Sequence, residues 1–201
     1  CIAPTTLFQE HLDPAVAEAF GRACSLLEDL GARVAQREVA VVSDIPNAYR
    51  TWGSFAGHES LALYGDMLER ESARVDPRVS RRILEYKDRP ASDYIHLMHT
   101  RERLREAFWE EVAGAAVVLA PTVPILPPRI DDLQADEAYF ETNNRVLSHT
   151  MIFNFLGAPA VSVPCGVTPE GLSVGLMIAG RPHHEPLVLS VAAALERAVR
   201  A

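Results

Sequence analysis

Several features are scarce in this sequence, and each absence removes a class of protein. It contains no apolar run approaching about 18 residues, so no membrane-spanning helix is predicted. Its three cysteines, Cys1, Cys24 and Cys165, lie far apart, which argues against a disulfide framework and favours a reduced, cytoplasmic setting. No charged-then-apolar leader precedes the first helix, so secretion is not expected. With 19 basic against 27 acidic residues, the formal charge is −8, and neither nucleic acid nor a membrane is expected as a partner.

The composition is that of an ordinary globular protein. Of the 201 residues, 48% are hydrophobic and 23% are charged, which is enough for one good-sized core. We therefore predict a single α/β unit over residues 1–201. The chain begins at Cys1, inside a strand-like "CIAP" and without a methionine, and we expect it to be a piece of a longer polypeptide.

The first forty residues predict a strand, a helix and a second strand. Asp13 can cap the helix, Pro14 occupies its first position, and apolar residues recur at helical spacing. Gly31 closes the helix, and "ARVAQREVAVV" is interpreted as a strand that ends near Val42. This order is the unit of a parallel sheet. The apolar positions of the helix are Val16, Phe20, Cys24 and Leu27.

The rest of the chain predicts a helical middle followed by strands. "AAVVLAPT" is typical of a buried strand, and the proline-rich "PTVPILPPRIDDLQADE" predicts a cleft-lining or surface loop. "PAVSVP" and "LSVGLMIAG" predict a hairpin, with Gly166 and Gly171 at positive φ. "EPLVLSVAAALERAVR" predicts a final helix with Leu187, Val191, Ala194 and Leu195 on one face. The fold class is thus α/β, a mixed β-sheet flanked by helices.

Several of these segments, in this order, resemble the carboxy-terminal half of the amidase signature family. They are "APTVPILPP", "TMIFNFLGAPAVSVPCG" and "GLSVGLMIAGRP", preceded by helices such as "VDPRVSRRILEY". The resemblance covers nearly the whole chain. It implies a mixed sheet between helices and hydrolysis of amides by a serine, a second serine in a cis peptide and a lysine. Family members include bacterial amidases and the A subunit of the glutamyl-tRNA amidotransferase.

The catalytic residues of that family have no counterpart in this chain. In the family they lie in the amino-terminal half, whereas this sequence has no adjacent pair of serines and no glycine- and serine-rich loop. Its only lysine, Lys87, lies in the charged run "EYKDRP" and is predicted to be solvated. Ser54 in "WGSFAG" lacks the spacing of a nucleophile elbow. We therefore expect no catalytic residue here, and a fold that is incomplete without its amino-terminal portion.

Three residues are candidates for substrate binding. The resemblance implies that Thr150 borders the pocket, although a helix-capping role explains it equally well, and Asn154 is interpreted as a capping residue. Arg82 matches an arginine that holds a substrate carboxylate in the amidotransferases, but its charged helix favours a surface ion pair with Glu85 or Asp88. Those relatives carry an acidic residue where this chain has Leu147, which argues against a glutamine-specific activity.

No cofactor or metal is expected. His96, His99 and Asp93 could be pictured as a metal site, but no third strong ligand is evident and a helix surface is the simpler interpretation. Cys165 has no flanking base and is not predicted to be a nucleophile.

Two functions remain open at this stage. The first is the carboxy-terminal portion of an amidase that acts on a small-molecule amide and needs its missing amino-terminal portion. Apolar Leu147 and Met151 favour an aryl or alkyl amide. The second is a non-catalytic binding or scaffold subunit with the same fold. In a fragment, the "CIAP" and "AAVVLAP" strands are expected to lose neighbours and leave sheet edges exposed, so that the chain aggregates or forms a homodimer.

Overall fold

The computed structural model describes residues 1–200, with the side chains of Ser72 and Arg200 left out. The chain divides into two compact units. The first comprises Cys1–Ser43 together with the chain from Ala107 onward, and the second is Asp44–Glu106. The single unit over residues 1–201 stays a prediction, and each unit is described by itself.

The first unit is built on a mixed five-stranded sheet, as predicted. Its strand order is β2-β1-β3-β5-β4. β1 pairs in parallel with β2 and β3, while β5 runs antiparallel to both β3 and β4. The edges are therefore β2 and β4, and the expectation that the "CIAP" and "AAVVLAP" strands are edges is wrong, because each has a neighbour on both sides. The strands are β1 Ile2–Pro4, β2 Ala35–Arg37, β3 Val118–Pro121, β4 Ala160–Val167 and β5 Ser173–Ala179.

Helices flank this sheet, and the second unit consists of helices. Helix α5 contributes residues up to Glu106 to the second unit and its last residues to the first. The helices of the described chain are α1 Pro14–Asp29, α2 Asp44–Trp52, α3 Phe55–Glu71, α4 Pro77–Leu84, α5 Ala91–Glu111, α6 Asp136–Leu147, α7 Thr150–Leu156 and α8 Glu185–Arg200, with short 3-10 turns at Ala40–Ser43, Ser72–Arg74 and Ile130–Leu133.

The core of the first unit lies between the sheet and the helices α1 and α8. All four apolar positions predicted for α1 are buried, and they share one cluster with inward-facing residues of β3, β4 and β5. Burial of this stripe stabilises α1 more than its own helix propensity does. On α8 the buried residues are Val188, Ala192 and Leu195. Leu187, which was predicted to be on the buried face, is exposed, and the next residue, Val188, is buried in its place.

The segment after Gly31 is not one strand as predicted. β2 has only three residues, and the chain then turns into the 3-10 helix Ala40–Ser43, in which Val41 and Val42 are buried. The backbone N–H of Val39 donates to Thr6 Oγ1, and that of Val41 donates to Glu111 Oε1. These side-chain acceptors satisfy the backbone, so the apolar run is buried without a strand partner.

The hairpin is confirmed, but only one of the two glycines predicted at positive φ adopts it. Gly171 has φ +86° in the turn, whereas Gly166 lies within β4 at a register shift. A Cβ on Gly166 would lie 2.9 Å from Ala19 Cβ. Close packing against α1, rather than backbone conformation, therefore requires glycine at this position.

Candidate functional site

Three loops of the first unit meet at the carboxyl ends of the parallel strands β1 and β3. They are the β1–α1 loop (5–13), the proline-rich loop (122–129) and the junction between α6 and α7. The backbone N–H of Asp13 donates to Pro124 O at 2.9 Å, and Asp13 Oδ2 accepts from the N–H of Leu126 at 2.9 Å. Asp13 thus binds the proline-rich loop instead of capping α1 with its side chain. Ligands of α/β folds bind at such carboxyl ends, which makes this edge one candidate site.

His149, at the α6–α7 junction, fixes this edge and was missed by the sequence reading. Its side chain is 1% exposed, and Nδ1–H donates to Pro121 O at 2.8 Å. The ring packs edge-on against Phe8 with 5.2 Å between centroids. Burial lowers the pKa of the imidazole, and hydrogen bonds to the carbonyls of Pro121 and Leu7 offset that only in part. His149 is therefore a neutral structural residue at pH 7. The sequence around His149 has no periodic pattern from which this role could have been predicted.

The β1–α1 loop is held in a strained conformation. Leu7 and His11 have φ of +65° and +53°, in the left-handed region that non-glycine residues seldom adopt. The Leu7 N–H donates to Glu10 Oε1 at 2.9 Å, and Arg145 of α6 donates to His11 O at 3.0 Å. Strain of this kind persists only where surrounding contacts fix it, and it clusters at binding sites.

Two of the predicted site residues, Leu147 and Thr150, lie together at the α6–α7 junction. Thr150 Oγ1–H donates to Leu147 O at 3.3 Å, and the Leu147 side chain is 41% exposed. Thr150 is half-buried. The interpretation of Asn154 as a capping residue is wrong, because its side chain is exposed and makes no hydrogen bond with the described residues. Gly157, with φ +62°, ends α7 instead.

Arg82, the third predicted site residue, lies in the second unit. It lines a cavity of about 310 Å³ together with Ser54, Gly57 and Tyr86. The predicted ion pair with Glu85 is wrong, because Glu85 accepts from Arg81 Nε at 3.3 Å, one position earlier on α4. Within the described part of the chain, Arg82 forms no ion pair or hydrogen bond. Its guanidinium is exposed at this cavity and is available to an anion.

Tyr86 also lines this cavity, and its hydroxyl is held by Ser54. Tyr86 Oη accepts from the Ser54 N–H at 2.8 Å and lies 3.1 Å from Ser54 Oγ. Ser54 Oγ also accepts from the Gly57 N–H at 3.0 Å. His58 Nε2–H donates to the carbonyl of Trp52 at 2.8 Å. Since Ser54 is bonded to Tyr86 and not to a base, its arrangement is structural and not that of an activated nucleophile.

Lys87 is solvated, as predicted. Its Nζ lies 2.5 Å from Glu69 Oε1, and the lysine side chain is 62% exposed. The hydrogen bond with Glu69 raises the pKa of Lys87 and lowers the pKa of Glu69. A catalytic lysine base needs the opposite shift, because it must lose its proton near neutral pH.

The cysteines and histidines add no further chemistry. Burial raises the pKa of both Cys24 and Cys165 to about 11, which disfavours the thiolate. Asp93 pairs with Arg89 at 3.0 Å, and the His96 ring packs against Trp52. Among residues 1–200, no three His, Cys, Asp or Glu side chains are grouped so that they could hold a metal ion. No helix within this range is long and apolar enough to cross a membrane.

Known proteins match most of this chain. A 2-amino-5-chloromuconic acid deaminase of Comamonas testosteroni is 27% identical over 96% of the chain and 42% of its own length. A fatty acid amide hydrolase of Arabidopsis thaliana is 36% identical over 68% of the chain and 23% of its own length. The A subunit of a glutamyl-tRNA(Gln) amidotransferase of Alkaliphilus metalliredigens is 29% identical over 96% of the chain and 43% of its own length. The chain thus spans less than half the length of these relatives.

Solved structures share the fold. A crystal structure of an amidase superposes with a TM-score of 0.81 at 22% identity, over 98% of this chain and 44% of that one. An allophanate hydrolase of Kluyveromyces lactis gives a TM-score of 0.85 at 17% identity, over 98% and 32% of the two chains. The model of the family described as Amidase matches residues 3–189. Since this match covers most of the sequence, the chain belongs to the amidase family.

Proposed function

We propose that this chain is the carboxy-terminal part of an amidase signature hydrolase, which cleaves a carboxylic amide C–N bond with residues outside residues 1–201. One observation supports the assignment of catalysis to residues outside this chain. Lys87, the only lysine of the chain, is exposed and protonated in its ion pair with Glu69. It cannot serve as the base that the serine, cis-serine and lysine mechanism of the family requires.

The chemistry of the reaction defines what the missing portion supplies. Attack on an amide carbonyl needs a nucleophile, a base that takes its proton, and donors for the oxyanion. Ser54 and Lys87 do not form such a pair. We propose that this chain instead contributes substrate-binding residues, Thr150 and Leu147 in the first unit and Arg82 in the second, each argued by itself. Exposed Leu147 suits an apolar part of the substrate, while the free guanidinium of Arg82 suits a carboxylate.

The first test is turnover by the chain alone. Purified residues 1–201 are expected to hydrolyse no simple aryl amide, because they hold no base–nucleophile pair. The measurement is release of the aryl amine, with the Lys87→Ala variant as the control. Turnover that survives Lys87→Ala would contradict the assignment of catalysis to residues outside the chain. The alternative of a non-catalytic scaffold subunit is favoured instead if the gene, read upstream of Cys1, encodes no lysine and no glycine- and serine-rich loop.

Thr150→Val separates a pocket role from a capping role. The change removes the hydroxyl that donates to Leu147 O and keeps the volume nearly constant. In the complete enzyme, a pocket role is expected to change kcat/KM by up to about tenfold and to leave the melting temperature nearly unaltered. A capping role would instead cost about 1 kcal/mol of stability. A lowered melting temperature with unaltered kinetics would remove Thr150 from the pocket.

Arg82→Gln tests recognition of a carboxylate, with Arg81→Gln as the matched control on the preceding residue of the same helix. If Arg82 binds substrate, its variant raises KM about tenfold or more for an amide that carries a carboxylate, and leaves a neutral aryl amide unaffected. Arg81→Gln loses the exposed pair with Glu85 and changes neither KM. Equal kinetics for both variants would exclude Arg82 as a carboxylate-binding residue. An uncharged substrate that contacts Leu147 would then be the better assignment.

A further inference from the structure

The carboxylate of Asp13 connects three segments that are far apart in the sequence. Its Oδ2 accepts from the Leu126 N–H at 2.9 Å, and its Oδ1 accepts from Arg145 Nη2 at 3.5 Å. Leu126 belongs to the proline-rich loop and Arg145 to the last turn of α6, and they lie 113 and 132 residues away from Asp13 in the sequence. Each oxygen therefore binds a different segment, and one side chain attaches both segments to the end of the β1–α1 loop.

Helix α6 needs such contacts because it has no apolar stripe in the core. None of its residues, Asp136–Leu147, is buried. Its position is therefore not set by burial of one face, as the position of α1 is. Arg145 supplies polar contacts instead, because it donates to the carbonyl of His11 at 3.0 Å as well as to Asp13. Both acceptors lie in the β1–α1 loop, so Arg145 attaches the end of α6 to that loop.

The β1–α1 loop depends on the same contacts. His11 has φ +53°, and a residue other than glycine keeps that conformation only where its surroundings hold it. The carbonyl of His11 is held by Arg145. Two residues later the chain is held by Asp13, whose N–H donates to Pro124 O at 2.9 Å. The loop and α6 thus stabilise each other, and loss of the Asp13 carboxylate is expected to loosen both.

The segment that follows Arg145 contains the two proposed substrate-binding residues of the first unit. The carbonyl of Arg145 accepts from Ser148 Oγ at 2.8 Å, and the carbonyl of Leu147 accepts from Thr150 Oγ1 at 3.3 Å. These hydrogen bonds join the end of α6 to the start of α7 turn by turn. A displacement of Arg145 therefore displaces Leu147 and Thr150 as well.

Two anchors hold this α6–α7 junction, and they differ in burial. His149 donates to Pro121 O from the interior of the first unit. The second anchor is the pair of Arg145 and Asp13, whose side chains are 48% and 34% exposed. Exposed ion pairs contribute little to overall stability. The main consequence of this second anchor is therefore the position of the junction and not the stability of the fold.

We propose that Asp13 is a positioning residue for substrate binding. Without contacting the substrate, it joins Arg145 to the proline-rich loop and thereby fixes Leu147 and Thr150 where a bound amide meets them. The inference rests on the proposed function in taking Leu147 and Thr150 to contact the substrate. Because such residues bind the substrate before and during the reaction, their displacement is expected to raise KM and to leave kcat nearly unchanged.

Asp13→Asn in the complete enzyme tests this role. The asparagine oxygen can still accept from the Leu126 N–H, but its NH2 group and the Arg145 guanidinium are both donors, so the link to α6 is lost. The variant is expected to raise KM for an aryl amide about tenfold, with kcat within about twofold and a nearly unaltered melting temperature. Glu18→Gln is the matched control, because it also loses an exposed pair with an arginine, Arg22 of α1, and is expected to change neither constant.

Variants of Arg145 test the other end of the same link. Arg145→Gln is expected to raise KM as much as Asp13→Asn does, and the two changes together are expected to raise it no further, because both break one link. Arg145→Lys keeps a cation and a donor, so its KM is expected to lie well below that of Arg145→Gln. If Asp13→Asn does not fold, these two variants still decide. An unaltered KM in Arg145→Gln would overturn the proposal.

A background without the positioned side chains shows whether the effect acts through substrate contact. In the variant that combines Leu147→Ala with Thr150→Val, Asp13→Asn is expected to change KM by less than about twofold. The side chains that Asp13 positions are then absent, so their displacement has no consequence. A tenfold change that persists in this background would make Asp13 a structural residue only.

Hydrogen–deuterium exchange distinguishes a failure of this inference from a failure of the proposed function. In Asp13→Asn, the amides in the last turn of α6 are expected to exchange about tenfold faster than in Glu18→Gln, because the attachment of that turn is lost. Faster exchange in a polypeptide without amidase turnover would refute the proposed function and leave Asp13 as the residue that positions α6. Faster exchange with an unaltered KM in an active enzyme would overturn the role in substrate binding. Unaltered exchange would overturn the link from Asp13 to α6.

Discussion

Gly57→Ala is expected to lower the free energy of unfolding of the helical unit Asp44–Glu106 by about 3 kcal/mol. A Cβ at this position would lie 2.1 to 2.6 Å from three carbons of the Tyr86 ring. The ring cannot move aside freely, because its hydroxyl is bonded to Ser54 and its face packs edge-on with His58. Chemical denaturation monitored by circular dichroism measures the change.

Gly65→Ala is the matched control, since it lies in the same helix. The contact its Cβ would make is with Leu61 Cδ1 at 3.3 Å, at the end of a flexible side chain. The better helix propensity of alanine is expected to leave this variant unchanged or slightly more stable. Combining Gly57→Ala with Tyr86→Ala is expected to cost much less than the sum of the two, because the clash is gone. Additive losses of stability would show that the contact with the Tyr86 ring does not explain the requirement for glycine at position 57.

The stability of the first unit is expected to fall as the pH is lowered from about 7.5 to 5.5, because His149 binds its proton more weakly in the folded state. Burial lowers the folded pKa of His149 below that of the unfolded chain. The unfolded state therefore takes up more protons in this range. The contribution is fully present above the unfolded pKa, near 6.5, and is lost as the pH falls towards the folded pKa, by at most about 1.4 kcal/mol per pH unit.

His149→Gln isolates this effect from the other histidines. Glutamine can still donate to Pro121 O, but it does not titrate. The variant is expected to be less stable than the original chain at pH 7.5 and to lose less stability on acidification, so that the two curves converge. Parallel curves would contradict the assignment of a neutral, buried His149. The measurement is the melting temperature across the pH series.

The regular elements were predictable where one face of an element is buried against the core. The α1 stripe and the β4–β5 hairpin follow from periodicity, and both are confirmed. The hydrophobic pattern gave a wrong secondary structure where backbone N–H groups donate to side chains that are distant in the sequence. Val41 and Val42 suggested a strand, yet Thr6 and Glu111 supply acceptors that allow a 3-10 turn there. Such acceptors lie up to 70 residues away in sequence, beyond any local pattern.

The candidate site was predictable only in part, for a related reason. The resemblance to amidases drew attention to Leu147 and Thr150, which the structure brings together. It gave no indication of His149 between them, because the role of His149 depends on Phe8 and Pro121 from two other segments. The pairing of Glu85 was assigned to Arg82 instead of Arg81, since both arginines lie within reach on the sequence and only the direction of the helix distinguishes them.

The two units differ in how their residues are distributed along the chain, and this difference sets an order of events on the ribosome. Asp44–Glu106 is contiguous, so its local helical contacts can form as soon as it emerges. In the first unit, β1 pairs Ile2 with Val118, and β3 in turn pairs Val118 with Ala179. Strand β1 must therefore wait until the chain has been synthesised as far as Ala179 before these strand pairs are complete. During that interval its apolar residues are exposed to chaperones.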